Sequence, residues 1–553
     1  MISIKNITIA LLTPVFLVLA SCYDLEEVNI NPNGVDPANA HPNLLMSTVI
    51  TGAAQTVVGL GYGDIAGVMQ HTQKDGWGSS HNSYDWSDQS WTSYYSILRN
   101  NDELYQKALD LGLEFHQGMA LVMKSYVFGL ITDLWGDAPY SAALRGEMGG
   151  ADNIKPVFDA QQDIYAGILA DLEQANQLLS KPQDAYSDIS SSQDVLYQGD
   201  VASWRRFANS LALRYYMRLS EKDPSTARAG IEKIATDPDT YPLVLTASQD
   251  ATVSYPGNSD VDSWPNNTVY DGTGGSNFRR LKMCSTLVEA LQALDDPRLA
   301  MWAERIDIPL EVDESLPDGT DKIENGVRHI AKSVADQYES TQGYPIDEDP
   351  EYVGLPPAWS IVPQAYNLCP NLDQAPNNPH ASHLNDRYQN PSGKFLLARL
   401  LSGAEVNFIL AEAALKGWSV GGDAESYYHA GVAASMAAWD LSGDYNSYIS
   451  GAAAFDGTQE QILEQKWIAS WTAAAEAWFD YRRTGLPALQ AGPITKRPAL
   501  PVRFYYSLDE IDFNPDNARG AIEGLEQTTF TAPDGKNSAW SKMWVLQGTG
   551  KPW

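Results

Sequence analysis

Cys22 is the residue whose chemistry reads most directly from its neighbours. It closes Leu19-Ala20-Ser21-Cys22, behind one basic residue, Lys5, and an apolar run over residues 7–20. A basic start, an apolar middle and small residues before a cut define a secretory signal peptide. A cysteine at the cut is an acceptor for acylation, the lipobox pattern. Residues 1–21 are therefore expected to be removed, leaving Cys22 as the lipidated first residue of the mature chain. The run is too short, and too interrupted by Thr13 and Pro14, to span a bilayer, which takes about 20 apolar residues.

Other groups capable of chemistry are scattered. Glu405 and Glu412 share one expected helix, but glycoside hydrolysis needs two carboxylates at a defined separation across a substrate. On a helix they are better placed to brace turns or pair with arginines. His380 and His383 form H-x-x-H in a loop without a patterned third ligand. Gly59-Leu60-Gly61-Tyr62-Gly63 is not a G-x-G-x-x-G turn, and no G-x-S-x-G occurs. No catalytic residue, metal ligand or cofactor is assigned. The Asp- and Asn-rich loops leave a calcium ion open, although no EF-hand pattern supports one. Cys284 and Cys369 either pair in an oxidising compartment or stay as buried thiols.

The chain has 553 residues, 44% of them hydrophobic, with 70 acidic and 37 basic side chains and a net charge of −33. That balance argues against nucleic acid and against an anionic lipid surface, both of which need basic patches. It fits a solvated exported protein. Polyanionic ligands are disfavoured unless a local basic pocket exists.

Positioning falls to helices. Residues 23–42, rich in Asn, Pro and Gly, read as a linker. Helical periodicity then appears over 43–58, 90–111, 114–134, 157–180, 194–220 and 227–236. In 157–180, Phe158, Gln161, Tyr165, Ile168, Leu172, Ala175 and Leu179 step by three and four, with Pro156 expected in the first turn. A second block predicts one helix over 394–417, with Leu397 and Leu401 on its stripe, a helix capped by Asp423, and one long helix over 458–481. Paired helices joined by tight turns predict a mainly α fold, with tetratricopeptide-like pairs forming a scaffold. Between them, residues 61–91 and 241–390 are rich in Gly, Asn, Asp, Pro and aromatics. Loops this long are functional or hold short strands, so a loop-rich lobe is expected.

Several stretches carry a family resemblance: the lipobox followed by Tyr23-Asp24-Leu25-Glu26-Glu27, Asn31-Pro32-Asn33, the run from Thr132-Asp133-Leu134-Trp135-Gly136-Asp137-Ala138-Pro139-Tyr140 to Leu144, Ala404-Glu405-Val406-Asn407-Phe408, Tyr427-Tyr428-His429-Ala430-Gly431, Gln465-Lys466-Trp467, Asp480-Tyr481-Arg482-Arg483-Thr484-Gly485, and Pro501-Val502-Arg503-Phe504. In this order they resemble the SusD/RagB-like outer-membrane glycan-binding lipoproteins of Bacteroidetes. The resemblance implies one SusD-like domain over 43–553 behind a lipid anchor and linker at 22–42, held at the outer cell surface. It implies oligosaccharide capture beside a SusC-like TonB-dependent transporter, without catalysis. A peptide-uptake partner of the same architecture and an α-helical glycosidase or lyase are the alternatives.

Sugars bind by stacking C–H faces on flat rings, with planar polar groups reading the hydroxyls. Trp77, set among glycines and polar residues, is the first candidate platform. Trp264, Trp359, Trp86 and Tyr84 follow, with Asp75, Asn82, Asn266 and Asn267 as polar partners. The acidic balance points to a neutral glucan, starch-like or laminarin-like.

Overall fold

Side-chain caps fix where the helices start. Asp200, Asp223, Ser402, Asp423 and Thr458 each accept the backbone N–H three residues on, from Ser203, Thr226, Glu405, Ser426 and Gln461. The computed structural model describes residues 41–373 and 376–552. Cys22 and the linker up to residue 40 lie outside the described residues. The long helices are α1 (Asn43–Gly61), α2 (Thr92–Asp110), α3 (Glu114–Trp135), α4 (Gln161–Leu178), α5 (Val201–Arg218), α6 (Pro224–Ala235), α7 (Gly403–Leu415), α8 (Ala424–Ala437), α9 (Gln459–Ala469) and α10 (Ala474–Thr484). Consecutive members pack as pairs: α2 on α3, α4 on α5, α5 on α6, and α7 on α8. Helix α3 is buried along almost its whole length and packs against α2, α4 and α5. The fold is thus mainly α, as its periodicity predicts.

The expected helices are corrected in four places, one being the helix expected over 194–220, which begins only at Val201, behind its cap Asp200. The helix expected from residue 157 begins at Gln161, because Asp159 forms a bridge with Ala138 and holds that segment extended. Asp137 then accepts the Gln161 N–H at 2.8 Å, bracing the start of α4. The helix expected over 394–417 begins only at Gly403: Leu397–Leu401 is a strand antiparallel to Ala251–Ser254. An apolar run fits either period, and the waiting partner strand decides. The helix expected over 458–481 is two helices, α9 and α10, broken where Thr472 takes a φ of +68°. Gly61, at the end of α1, approaches that break so closely that a Cβ would lie 2.7 Å from the Ala473 backbone.

The strands are short and lie mostly in the loop-rich lobe. They are β1 (Thr72–Lys74), β2 (Ala251–Ser254), β3 (Leu281–Met283), β4 (Leu310–Asp313), β5 (Asp321–Glu324), β6 (Val327–Ala331) and β7 (Leu397–Leu401). β1 pairs antiparallel with β3, placing Lys74 opposite Leu281 and Gln73 opposite Lys282. β6 lies between a parallel β4 and an antiparallel β5. Cys284 and Cys369 are free and buried.

Carboxylates on the scaffold helices face arginines. Glu405 takes Arg214 at 2.6 Å, Asp133 takes Arg218 at 3.2 Å, and Glu412 takes Arg483 at 2.6 Å. These carboxylates bridge α3, α5, α7 and α10.

Asp250, just before β2, is a half-buried carboxylate without an ion pair among the described residues. Burial pushes its carboxyl up to about 7, against the opposing pull of the Gly403 N–H and Arg399. A group whose folded pKa lies above its unfolded value contributes stability that is full below the unfolded pKa and lost as pH rises through the folded one. Asp250→Asn keeps an oxygen for the Gly403 N–H. Its Tm relative to wild type is therefore expected to climb as pH is raised from about 4 to about 8. Thermal melts across that range check it; a pH-independent difference would refute the assignment.

Candidate functional site

Strand β1 leads straight into the turn that carries Trp77. Asn82 clasps the strand end from both sides: its Oδ1 accepts the Lys74 N–H at 2.9 Å and its Nδ2 donates to the Lys74 carbonyl at 2.8 Å. The clasp brings Asn82 so near Gly78 that a Cβ there would lie 2.7 Å from the amide. Glycine at 78 is what lets the turn close.

Trp77 stands at the top of this turn, 77% exposed, with a φ of +54°. Left-handed backbone costs a residue with a Cβ about 1–2 kcal/mol. Core burial does not offset that cost here. A strained, exposed tryptophan held by a braced turn is a feature to be explained by function. One partner of the ring is Arg280, whose guanidinium carbon sits 4.8 Å from the ring centre. Beside Trp77 opens a recess of about 200 Å³, lined also by Ser79, Asn82, Ser360, Ile361 and Gln364. Ile361 is 85% exposed, so the recess has an apolar lip facing the ring.

The far wall is held by the loop lobe. Gln73 Oε1 accepts the Ala358 N–H at 2.9 Å, tying β1 to the 358–364 segment. Trp359 is buried, edge-on to Tyr344 and Tyr366, and donates its indole N–H to the Gln342 carbonyl at 3.2 Å. It anchors the wall instead of offering a ring face, which corrects its expected role as a platform.

The remaining candidates divide similarly. Trp264 is fully buried, packed on Tyr62, Tyr255 and Tyr388. Its stretch reads as a polar loop, but the loop folds its indole into the core, so no face is left for a sugar. Asn267 closes the turn beneath it, donating to the Trp264 carbonyl and accepting from Val269 and Tyr270. Asn266 is half-buried, with a φ of +60°, away from the Trp77 recess. Trp86 and Tyr84 are buried, Trp86 edge-on to Trp478 and Phe504. They floor a second recess of about 230 Å³, with Lys496, Tyr505, Asn537 and Trp540 around it. That recess adjoins the first, since the Lys496 N–H donates to the carbonyl of Ser83, which lines the first, at 2.8 Å. Asp75 is buried against Lys282 at 3.3 Å and does not reach the surface as a ligand group.

The structure therefore brings Trp77 and Asn82 together and takes Trp264, Trp359, Asp75 and Asn267 into the framework. Sequence reasoning missed Ile361, Gln364 and Arg280. Ile361 follows the Pro-Pro-Ala-Trp run that pins the wall, a weak local signal. Arg280 reaches the site only through β1–β3 pairing.

His380 of the H-x-x-H pair is engaged elsewhere: Nδ1 meets the Ile308 carbonyl at 2.7 Å and Nε2 meets Arg328 at 2.9 Å. Among the described residues no three His, Cys, Asp or Glu side chains are grouped to hold a metal ion.

Comparison with known proteins bears on the whole chain. A SusD-like family described as starch-binding and associating with the outer membrane matches residues 35–337 and 363–507. Among solved structures, a SusD homologue from Bacteroides fragilis is 22% identical, with a TM-score of 0.68, covering 92% of this chain and all of the other. A chitin-binding SusD homologue from Flavobacterium johnsoniae is 20% identical, with a TM-score of 0.65, covering 91% of this chain and 99% of the other. No curated protein matches the chain.

Proposed function

Because the chain belongs to the SusD-like family of starch-binding, outer-membrane-associated proteins, we propose that it is a lipid-anchored cell-surface protein that captures oligosaccharides. It does so without cleaving them, and hands them to a SusC-like TonB-dependent transporter. The observation that carries this reading is Trp77: an exposed ring on a strained, braced turn beside an open recess. A sugar ring stacks on the indole, while Asn82, Ser79 and Gln364 offer amide and hydroxyl groups at the recess for its hydroxyls. A rigid aromatic supplies contact area at low entropic cost. Among the described residues Trp77 is the one tryptophan with a largely exposed ring, so affinity per site stays modest, which suits a protein that must release its ligand. Cys22 supplies the tether, and residues 22–42 the reach.

Affinity electrophoresis of the soluble form (residues 23–553) against starch, laminarin and chitin oligosaccharides tests the reading. Retardation by at least one of them, with no new reducing ends after incubation, is expected. New reducing ends would replace the binder with an α-helical glycosidase or lyase. Binding of peptides but not glycans would replace it with a peptide-uptake partner.

A further inference from the structure

The neutral glucan expected from the net charge of −33 does not match the charge at the site itself. Pairing of β1 with β3 brings Lys74 opposite Leu281 and Gln73 opposite Lys282. Residues far apart in sequence, Lys74-Asp75-Gly76-Trp77 and Arg279-Arg280-Leu281-Lys282, thereby share one sheet edge. Two lysines on this edge have acidic partners: Lys282 lies 3.3 Å from Asp75, and Lys74 lies 3.8 Å from Asp64, at the start of the short helix Asp64–Val68.

Arg280 has no such partner. Among the described residues it makes no ion pair. Its hydrogen bonds run from Nη1 to two neutral acceptors, Ser276 Oγ at 3.0 Å and Asn277 Oδ1 at 3.4 Å. Its Nε is buried without an acceptor. Asp271, in the same loop, is held by the Thr273 hydroxyl at 2.5 Å and by the Asn277 backbone and side chain. Among the described residues the buried arginines Arg214, Arg218, Arg298 and Arg483 meet carboxylates, whereas Arg399 and Arg503, like Arg280, hydrogen-bond neutral acceptors. What sets Arg280 apart is its place: its guanidinium lies against Trp77, whose ring is exposed on a strained turn.

We propose that Arg280 makes the Trp77 platform selective for sugars bearing an oxyanion, a uronate carboxylate or a sulfate ester. This inference rests on the glycan-binding reading of the same recess. A guanidinium presents a planar fork matched to either group, and among the described residues Nη2 has no hydrogen-bond acceptor. The sugar ring stacks on Trp77 while its oxyanion meets the edge of Arg280. The acidic remainder of the surface does not forbid this, because exposed charges are screened beyond about 8 Å at physiological salt.

The test uses glycans paired by backbone, with and without the charge: oligogalacturonate against its methyl ester, and sulfated against unsulfated laminarin oligosaccharides. Affinities are measured by calorimetry at low and high salt. The charged member of at least one pair is expected to bind about tenfold tighter, as one charge-assisted hydrogen bond allows, and the gap should shrink as salt rises. The pair that shows the gap tells carboxylate from sulfate. In Arg280→Gln the charged-to-neutral ratio is expected to fall to about one, and Arg280→Lys to restore part of it. Equal binding of both members, or a ratio that survives Arg280→Gln, would overturn the inference while leaving glycan capture standing. Binding of no glycan of either kind, in these pairs or among starch and chitin oligosaccharides, would overturn the glycan reading itself.

Discussion

Trp77→Ala is expected to weaken glycan binding roughly thirtyfold, the cost of about 2 kcal/mol that removal of an aromatic hot spot carries. The ring is 77% exposed, so its loss opens no cavity, and stability should stay within about 0.5 kcal/mol of wild type, as for other surface substitutions. A sharper outcome follows from the backbone. Trp77 holds a φ of +54°, which any side chain with a Cβ takes at a cost of about 1–2 kcal/mol and glycine takes freely. Trp77→Gly should therefore be more stable than Trp77→Ala by about 1 kcal/mol, yet equally poor at binding. That pairing of higher stability with lost affinity is what a residue strained for function produces. Calorimetric titration with the best ligand of the panel, together with chemical denaturation of both variants, measures the two halves. Undiminished affinity in either variant would remove Trp77 from the site. A glycine variant no more stable than the alanine one would remove the strain argument.

The sequence made the scaffold legible and the site only partly so, for a physical reason visible in particular residues. Helix caps and stripes are local: Asp423 meets the Ser426 N–H as its position suggests, and Glu405 and Glu412 meet arginines instead of a substrate. Where the competing structure was non-local, the reading failed. Leu397 and Leu401 fit a helical stripe until β2 claims them as a strand. Trp264 and Trp77 stand in loops of nearly the same composition, yet one is fully buried and the other exposed. The difference is made by Tyr62 and Tyr388, remote partners that pack on Trp264. The local clue favouring Trp77 is the flanking Gly76 and Gly78, since Gly78 admits the Asn82 clasp. Arg280 carried no clue at all, because its relation to Trp77 exists only once Lys74 and Leu281 pair. Net charge, a global quantity, likewise says nothing of how cations are distributed along one sheet edge.

Glu412→Ala is expected to destabilise the fold by about 3–5 kcal/mol, the usual consequence of orphaning one member of a buried ion pair. Glu412 on α7 is 1% exposed, and its two oxygens take both terminal nitrogens of Arg483 on α10, each at 2.6 Å. Gln459 at the start of α9 donates to the same carboxylate at 2.8 Å. Arg483 also reaches the Ser220 hydroxyl just past α5 and Asp480 one turn back. One carboxylate thus joins α7, α9 and α10, and through Arg483 the end of α5. Burial alone would raise the Glu412 carboxyl; the Arg483 guanidinium outweighs it and holds the group below its ordinary range. A folded pKa below the unfolded one contributes stability that is full above the unfolded value and lost as pH falls through the folded one. The gap between wild type and Glu412→Gln should accordingly narrow in acid, which denaturation at several pH values reads directly. Replacing both partners, as Glu412→Leu with Arg483→Met, should recover most of the loss, since an apolar pair of similar volume carries no desolvation cost. The double variant should still bind the same glycan with wild-type affinity, because neither residue lines the Trp77 recess. A double variant as unstable as Glu412→Ala would mean that the remaining polar partners, Ser220, Gln459 and Asp480, depend on the pair for their own satisfaction. An unchanged stability in Glu412→Ala would show that the helices are held by their apolar faces alone.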